Sequence, residues 1–405
     1  MMGRLNSLSQ PVPAMTPAPT RTAHRTHSFT ESVIREMTRV AREHDAINLA
    51  QGFPDFPAPA LLKEAACAAI RADVNQYAIT WGTPNLRKAL ADKYGSLYGM
   101  DVDTEREITV TCGATEAMVA VMLATVNPGD EVIVLEPFYE NYGPDAVLSQ
   151  ATPVFLPLEA PDYRLERDRL EALVTDRTRA IVLNTPNNPT GRVFDREELQ
   201  AVADVCREHD LLAITDEIYE HILYEGQHHV LATFEGMRER TIVISGLSKT
   251  FSVTGWRVGT IIAPADLTVA IRKVHDFLTV GAPAPLQEAC AVGMNELGPE
   301  YYEGMVQGYR ERREVLISAL RAAGFKCAPP QGAYYVLADF SDLSDEDDTT
   351  FAKRLTSQGG VAPVPGSSFF SRPERGSKFV RFVFCKQIET LRAAGERLRT
   401  FASLA

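Results

Sequence analysis

The sequence predicts an α/β fold with a second, smaller α+β domain, and three observations lead to this prediction. The chain has 405 residues, which exceeds the roughly 250 to 300 residues at which a single hydrophobic core stops growing. Short β-rich apolar runs alternate with helical stretches from 107 to 263, as in the crossover units of a mostly parallel sheet. Beyond about 299 helices and strands no longer alternate strictly, so this part is assigned to the smaller domain.

Five strands of the sheet are predicted from short apolar runs that end in turn or loop residues. They lie at 108–111, 131–135, 180–184, 211–215 and 241–245. A helix from Thr115 to about Ala124 follows the first strand. A second helix is predicted up to His209, because Asp195 suits its N-cap and Glu198 stands at the capping-box position.

The smaller domain is predicted from its own series of elements. A long helix begins at about Pro299 and is stopped by Gly324, strands follow near 333–340 and 378–385, and a final helix covers about 388–401. The acidic run 341–348 between them is predicted to be a solvated loop and not a metal site.

The predicted domain boundaries divide the chain into four parts. Residues 1–27 form a tail, 28–60 an arm that joins the small domain, 61–290 the large domain and 291–405 the small domain. The tail is rich in Pro, Ser, Thr and Ala. A disordered tail is favoured over a cleaved targeting segment because no amphipathic helical pattern is present.

Composition excludes several classes of function. The formal net charge of −12 gives no basic field to gather nucleic acid or anionic lipid. Six cysteines lie far apart without CxxC spacing, so they are predicted to be reduced, mostly buried thiols and not zinc ligands. The pair His228-His229 is predicted to lie in a surface loop. No run reaches membrane-spanning length, and we expect a soluble, cytoplasmic protein.

One set of residues matches the needs of a particular cofactor. Asp216 closes an apolar strand, and Lys249 stands among small residues with Arg257 on the same segment. Pyridoxal phosphate needs an anion at its protonated ring nitrogen and an amine that holds its aldehyde as an imine. Its phosphate needs a helix N-terminus and a guanidinium. The anion is supplied by Asp216 and the amine by Lys249. The phosphate site is supplied by the segment Gly113-Ala114-Thr115 with Arg257.

Five candidate residues follow the ends of predicted strands. Ligands bind beyond the carboxyl ends of the strands in open sheets of this kind. The residues are Gly113, Tyr139, Asn188, Asp216 and Lys249. Each alone has an ordinary explanation: the aspartate as a strand-end cap, the lysine as a surface residue, the glycine as a simple helix start. Their coincidence at one sheet edge favours a site.

Two assignments leave alternatives open. Tyr139 is flanked by Phe138 and Tyr142, so periodicity alone does not decide which ring faces a ligand and which packs in the core. Arg381 is a charge within an apolar strand and needs an anion, either a structural carboxylate or the substrate.

The sequence resembles the class I and II aminotransferases of the aspartate aminotransferase superfamily, in the branch with kynurenine, glutamine, methionine and aromatic aminotransferases. The resemblance covers about 28–405 and implies fold type I, with a mostly parallel seven-stranded sheet between helices. The matching blocks occur in the family's order: Asn48-Leu-Ala-Gln-Gly-Phe-Pro-Asp-Phe56, Asn75-Gln-Tyr77 with Trp81-Gly-Thr-Pro84, Glu136-Pro-Phe-Tyr139, Asn184-Thr-Pro-Asn-Asn-Pro-Thr-Gly191, Asp216-Glu-Ile-Tyr219, the Lys249 segment, and Arg381-Phe-Val-Phe-Cys-Lys386.

The resemblance implies roles at the cofactor. Lys249 would form the imine with pyridoxal phosphate and then move the proton between substrate and cofactor. Tyr219 and Asn188 would hydrogen-bond the phenolic oxygen of the ring, and Tyr139 would stack on it. Tyr77 would reach the phosphate of the neighbouring subunit, which implies a homodimer with shared sites.

The resemblance also implies roles at the substrate. Arg381 would bind the α-carboxylate, with Asn188 and the backbone of Gly52 close by. Many relatives carry a serine three positions before the lysine, where this chain has Gly246. Which of Ser245 and Ser248 contacts the phosphate is left open.

Three candidate functions are compared for this sequence. The first is an aminotransferase that works by a ping-pong mechanism through the pyridoxamine form, between a 2-oxo acid and an L-amino acid with a neutral, aromatic or sulfur-containing side chain. The segment 278–283 is expected to line the pocket across the dimer, where its small apolar residues suit such side chains. The second is a pyridoxal phosphate C–S β-lyase acting on cysteine conjugates. The third, a transcription regulator, is disfavoured because about 27 residues precede the resemblance and the charge is acidic.

Overall fold

The computed structural model describes residues 21–403, and most of the predicted 1–27 tail lies outside this part. A 3₁₀ turn covers His24–His27. Twelve α-helices follow in the described chain: α1 Val33–Glu43, α2 Ala60–Arg71, α3 Pro84–Tyr98, α4 Ala114–Thr125, α5 Tyr142–Leu148, α6 Arg167–Glu171, α7 Arg196–Glu208, α8 Ala265–Leu278, α9 Ala284–Glu296, α10 Pro299–Ala322, α11 Asp348–Ser357 and α12 Ile388–Ala402.

The strands form three sheets in this part of the chain. Their bounds are β1 Ile47–Asn48, β2 Ile108–Thr111, β3 Glu131–Glu136, β4 Thr152–Pro157, β5 Thr178–Asn184, β6 Leu212–Asp216, β7 Thr241–Gly246, β8 Gly259–Ile262, β9 Tyr335–Asp339, β10 Val361–Ala362, β11 Val364–Pro365 and β12 Phe379–Val383. The large sheet has the order β2-β8-β7-β6-β5-β3-β4. Only β8 runs antiparallel within it. The predicted α/β fold with a mostly parallel seven-stranded sheet is confirmed.

Alternate residues of the central strands pack into two separate hydrophobic cores, one on each face of the sheet. Val132 and Val134 of β3 pack with α4 on one face. Ile133 and Leu135 pack with α7 on the other. This period of two is what a strand buried on both faces requires. The predicted capping box at Asp195 is present and starts α7.

Strand β4 was missed because its sequence contains two prolines. The amides of Thr152 and Leu158 donate to carbonyls on the β3 side at 2.8 and 2.7 Å. Alternation therefore points the backbone nitrogens of Pro153 and Pro157 away from β3, at the free edge of the sheet. Proline is tolerated in this position because no ladder hydrogen bond is lost.

The smaller unit is built around the antiparallel sheet β11-β12-β9. The strand pair β1 and β10 is parallel, and it joins the arm to this unit. The division into domains at 60/61 and 290/291 stays a proposal, which this pairing supports.

Both segments predicted to be solvated loops are irregular and largely accessible up to the start of α11, but each contains one buried side chain that the predictions missed. In the acidic run, Asp347 caps α11 and Asp348 is buried, where its carboxylate accepts a hydrogen bond from the Ser367 amide at 2.6 Å. His228 is also buried, and its ring bonds to Glu217 at 2.7 Å. Hydrogen-bond partners that lie outside each segment decide both cases.

The cysteines are all free thiols, and three of them, Cys206, Cys290 and Cys385, are buried. Among the described residues, we find no helix with both the length and the apolar character needed to cross a bilayer.

Candidate active site

A cavity of about 400 Å³ lies at the carboxyl edge of the parallel strands. Most of the predicted site residues line it. They are Gly52, Ala114, Thr115, Tyr139, Asn188, Asp216, Tyr219, Lys249, Arg257 and Arg381. Gly113 lies just behind the wall, and Tyr77 lies outside the cavity of its own chain.

Lys249 follows β7 and extends into the cavity. Its ammonium donates to the carbonyl of Gly52 at 3.2 Å and lies 5.9 Å from the ring centre of Tyr219. Burial lowers the pKa of Lys249 to about 8, and the guanidinium groups of Arg257 and Arg381 act in the same direction. An amine with this pKa loses its proton readily near neutral pH, as a nucleophile or general base must.

Asp216 ends β6 with its carboxylate buried and held by two donors. The Tyr142 hydroxyl donates to one oxygen at 2.7 Å and the Ile218 amide to the other at 3.2 Å. Burial raises the pKa of Asp216, and these hydrogen bonds oppose the rise. No cation among the described residues lies within 4.0 Å of this carboxylate. The arrangement suits a carboxylate that receives a cationic N–H from a ligand.

Helix α5, which carries Tyr142, also buries a carboxyl without a partner. Asp145 is 5% exposed, one of its oxygens has no hydrogen-bond partner in the described chain, and burial raises the pKa of Asp145 to about 8. The folded protein therefore keeps this proton while the unfolded chain loses it near pH 4. Stability should fall as pH rises from about 4 to about 8.

We expect the Asp145→Asn substitution to remove this loss of stability at higher pH. The gain in unfolding free energy over the parent protein should be larger at pH 8 than at pH 5 by at least about 1 kcal/mol. Asp101→Asn, at an exposed aspartate, is the control and should show no such trend. An equal effect of Asp145→Asn at both pH values would contradict the assignment.

The N-terminus of α4 forms one end of the cavity. Gly113 is its N-cap, with φ of 85° and no side-chain cap, so backbone N–H groups of the first turn are free to bind an anion. The positive φ favours glycine here, and a Cβ at this position would displace the guanidinium of Arg257, whose Nη2 would lie 2.3 Å from it. Arg257 has no carboxylate partner in the described chain.

The two serines near Lys249 are placed differently. Ser245 donates to Glu220 at 2.6 Å within a buried polar cluster. Ser248 lines the cavity. Of these two hydroxyls, Ser248 is the one available to a ligand at this end.

Arg381 is a buried guanidinium at the other end of the cavity. It donates to Oδ1 of Asn188 at 2.8 Å and to the carbonyl of Ala50 at 2.6 Å. Its Nε is buried without a partner, and no described carboxylate pairs with it. The alternative of a structural carboxylate is therefore wrong for this part of the chain, and a ligand anion remains to complete the site.

Two tyrosines that the sequence did not single out complete the wall. Tyr335 shares a hydrogen bond of 2.6 Å with Tyr219, and its ring lies 4.5 Å below the guanidinium of Arg381. Tyr142 bonds Asp216. Tyr335 lies outside the blocks that the sequence analysis matched, so only the three-dimensional structure reveals it.

Tyr77 belongs to an exposed apolar surface. Its side chain is 88% exposed, and Phe277 is 94% exposed. The backbone near Tyr77 is anchored to the protein interior, because the ring of the buried His275 donates a hydrogen bond to the carbonyl of Thr80 at 2.8 Å. Aromatic side chains exposed to this degree on a rigid surface are typical of an interface.

Pyridoxal phosphate fits the chemistry of this cavity. The buried carboxylate of Asp216 lacks a cation, the first turn of α4 and Arg257 lack an anion, and Lys249 supplies an amine between them. These are the three needs of the cofactor.

The chain matches the family model described as aminotransferase class I and II over residues 44–398. It is 39% identical to the methionine aminotransferase of Escherichia coli strain K12, over 91% of this chain and 95% of that protein. It is 37% identical to the human kynurenine–oxoglutarate transaminase 1, over 90% of this chain and 94% of that protein.

A solved structure with the same fold is the N-succinyldiaminopimelate aminotransferase of Mycobacterium tuberculosis. The TM-score is 0.91 at 38% identity, and the alignment covers 94% of this chain and all of that one.

Proposed function

The chain belongs to the class I and II aminotransferase family, and from this membership we propose that it transfers the amino group of a neutral, aromatic or sulfur-containing L-amino acid to a 2-oxo acid by a ping-pong mechanism. As a member it is a pyridoxal-phosphate-dependent aminotransferase. One observation carries the chemistry of amino transfer: a single cavity holds an amine of lowered pKa, a buried carboxylate and a buried guanidinium without an anionic partner among the described residues. The side-chain class is proposed from the methionine and kynurenine relatives.

The residues divide into those that hold the cofactor and those that move the proton. The cofactor, when bound, withdraws electrons from the substrate α-carbon. Asp216 would keep its ring nitrogen protonated, and its phosphate would be held by Gly113-Ala114-Thr115, Ser248 and Arg257. Lys249 would take the proton from the substrate α-carbon and pass it to the cofactor, since its pKa of about 8 lies close to neutral pH.

The substrate is held by its α-carboxylate. Arg381 offers this group the unpartnered Nε–H, and Asn188 fixes the guanidinium by accepting from its Nη1. Tyr139, Tyr219 and Asn188 line the same cavity, where Tyr139 would contact the face of the cofactor ring and the other two would hydrogen-bond its phenolic oxygen. The carbonyl of Gly52, which accepts from Lys249, lies beside the substrate.

The exposed surface around Tyr77 and Phe277 supports a homodimer. Burial of these side chains against a second copy would remove a large apolar area from water. Tyr77 then reaches the phosphate in the partner's site, and segment 278–283 lies against that site. The acidic composition argues against nucleic acid and anionic-membrane partners, and we propose that the protein works in the cytoplasm.

The half-reaction tests the proposal against the β-lyase alternative. Incubation of the loaded enzyme with L-methionine alone should give about one 2-oxo acid per site and then stop, because ping-pong transfer needs an acceptor to restore the first form. Rapid quenching and quantification of the oxo acid measures this.

A cysteine conjugate, S-substituted at sulfur, serves as the comparison. Continuous release of pyruvate and ammonia from it without an acceptor, together with no reaction of methionine or phenylalanine, would favour the lyase. The relatives named above, for methionine and kynurenine, support the transferase. A donor panel in which only aspartate and glutamate react would contradict the proposed side-chain class.

A further inference from the structure

His275 of α8 is a fully buried histidine that connects two parts of the proposed cofactor site. Its Nδ1 lies 2.6 Å from Oε1 of Glu116, which stands in the first turn of α4. Its Nε2 lies 2.8 Å from the carbonyl oxygen of Thr80. Thr80 follows Tyr77 by three residues. The ring therefore joins the helix that begins at one end of the cavity to the segment that carries Tyr77.

Glu116 extends this connection to the backbone that precedes α4. Its second oxygen accepts a hydrogen bond from the amide of Cys112, the residue before Gly113. The carbonyl of Cys112 accepts from Nη2 of Arg257 at 3.5 Å, and its thiol donates to the carbonyl of Gly281 at 3.4 Å. The carboxylate of Glu116 therefore fixes the backbone that leads into the first turn of α4 and that Arg257 contacts.

The two hydrogen-bond partners of His275 favour a protonated ring. Both are oxygen atoms: the carbonyl of Thr80 only accepts, and the carboxylate of Glu116 accepts when it is ionised. An imidazolium donates to both, whereas a neutral ring has one N–H. Burial lowers the pKa of His275, but the hydrogen bond and the charge of Glu116 outweigh burial, so the net pKa is raised. Because a buried ion pair often stabilises a protein no more than apolar residues of similar volume, the geometry that this pair fixes is its distinguishing contribution.

We propose that His275 is a positioning residue for the cofactor phosphate. Through Glu116 and Thr80 it holds the first turn of α4 and the segment that carries Tyr77 in one fixed arrangement. This inference rests on the proposed function, in which that turn binds the phosphate of its own chain and Tyr77 reaches the phosphate of the partner. Backbone N–H groups bind an anion well only when they point at it. A shift of the turn therefore weakens phosphate binding although every residue that touches the cofactor is unchanged.

His275→Gln tests the positioning role in the full chain. A single amide nitrogen cannot replace two ring nitrogens that point in different directions. The dissociation constant of pyridoxamine phosphate, measured by equilibrium dialysis, should rise by about 10-fold or more. That of pyridoxamine, which lacks the phosphate, should change by less than about threefold.

His228→Gln is the matched control. His228 is also buried and also pairs with a carboxylate, that of Glu217, at 2.7 Å. The control therefore breaks a bridge of the same kind that does not reach α4. It should leave the ratio of the two dissociation constants at the parent value.

Two substitutions of Glu116 test the bridge without a change at His275. Glu116→Gln keeps a carbonyl oxygen for the Cys112 amide and offers an N–H to a neutral ring. The other ring nitrogen still donates to Thr80, so this variant should keep the parent ratio. Glu116→Ala separates the ring from α4 and should weaken binding of pyridoxamine phosphate as His275→Gln does.

Hydrogen exchange followed by mass spectrometry gives an independent readout of the same bridge. Peptides that contain 77–83 and 112–118 should both exchange faster in His275→Gln than in the parent protein. In Glu116→Gln both should exchange at the parent rate.

The outcomes separate this inference from the proposed function. Unchanged binding in His275→Gln, an equal loss for both compounds, or the same selective loss in His228→Gln would overturn the positioning role alone. Equal effects of Glu116→Gln and Glu116→Ala would also overturn it, because the charge and not the hydrogen bonds would then matter. A parent protein that binds pyridoxamine as tightly as pyridoxamine phosphate would overturn the proposed phosphate site and this inference with it.

Discussion

Replacement of Lys249 by alanine is expected to reduce kcat by about 10⁴-fold or more. The side chain is the amine that reaches the middle of the cavity, where it bonds the carbonyl of Gly52. The variant loses both the covalent anchor and the base that moves the proton. Steady-state transfer from methionine to 2-oxoglutarate measures the loss.

The fold should tolerate this change, since Lys249 makes no ion pair within the described chain. Borohydride reduction followed by mass spectrometry should find the cofactor attached at position 249 in the parent protein and absent from the variant. Lys88→Ala, at a 73% exposed side chain paired with Asp92, is the control and should keep full turnover. Steady-state activity near the parent level in Lys249→Ala would refute the role given to this amine.

Asp216→Asn is expected to have the second largest effect, a fall in kcat of about 10²- to 10³-fold. The substitution keeps the shape of the side chain and the hydrogen bond from Tyr142, but it removes the negative charge. Breaking a buried charge pair by neutralising one partner costs about 3 to 5 kcal/mol, and each 1.36 kcal/mol is about a tenfold change in rate. The variant should also release the cofactor more readily, which equilibrium dialysis can measure.

Tyr142→Phe separates the charge of Asp216 from its orientation. This variant keeps the carboxylate and removes one neutral donor, a loss of about 1 kcal/mol or about fivefold in rate. If Tyr142→Phe and Asp216→Asn lowered kcat equally, the hydrogen bond and not the charge would be the essential feature.

The sequence predicted the elements whose signals are local. Runs of β-branched residues located the strands β2, β3, β5, β6 and β7, and the capping box at Asp195 located the start of α7. The strand β8, only four residues long, was missed because its antiparallel pairing to both β2 and β7 depends on distant partners. Burial of Asp348 and His228 was missed for the same reason, since Ser367 and Glu217 supply their hydrogen bonds.

Prediction of the candidate site from the sequence is limited in the same way. Residues that follow strand ends could be predicted, because parallel strands bring their carboxyl ends to one edge. The predicted boundaries of the domains and the roles of the site residues remain proposals. Tyr335 could not be found from the chain alone, since it belongs to no strand end of the large sheet and the tertiary structure brings it to the cavity.

The prolines of β4 have a consequence for handling the protein at high concentration. Of the three backbone nitrogens that point outward between 152 and 158, two belong to Pro153 and Pro157 and carry no hydrogen, which leaves Phe155 as the single outward donor. An incoming strand from another molecule finds no continuous ladder to extend. This border of the molecule is thereby protected against edge-to-edge aggregation.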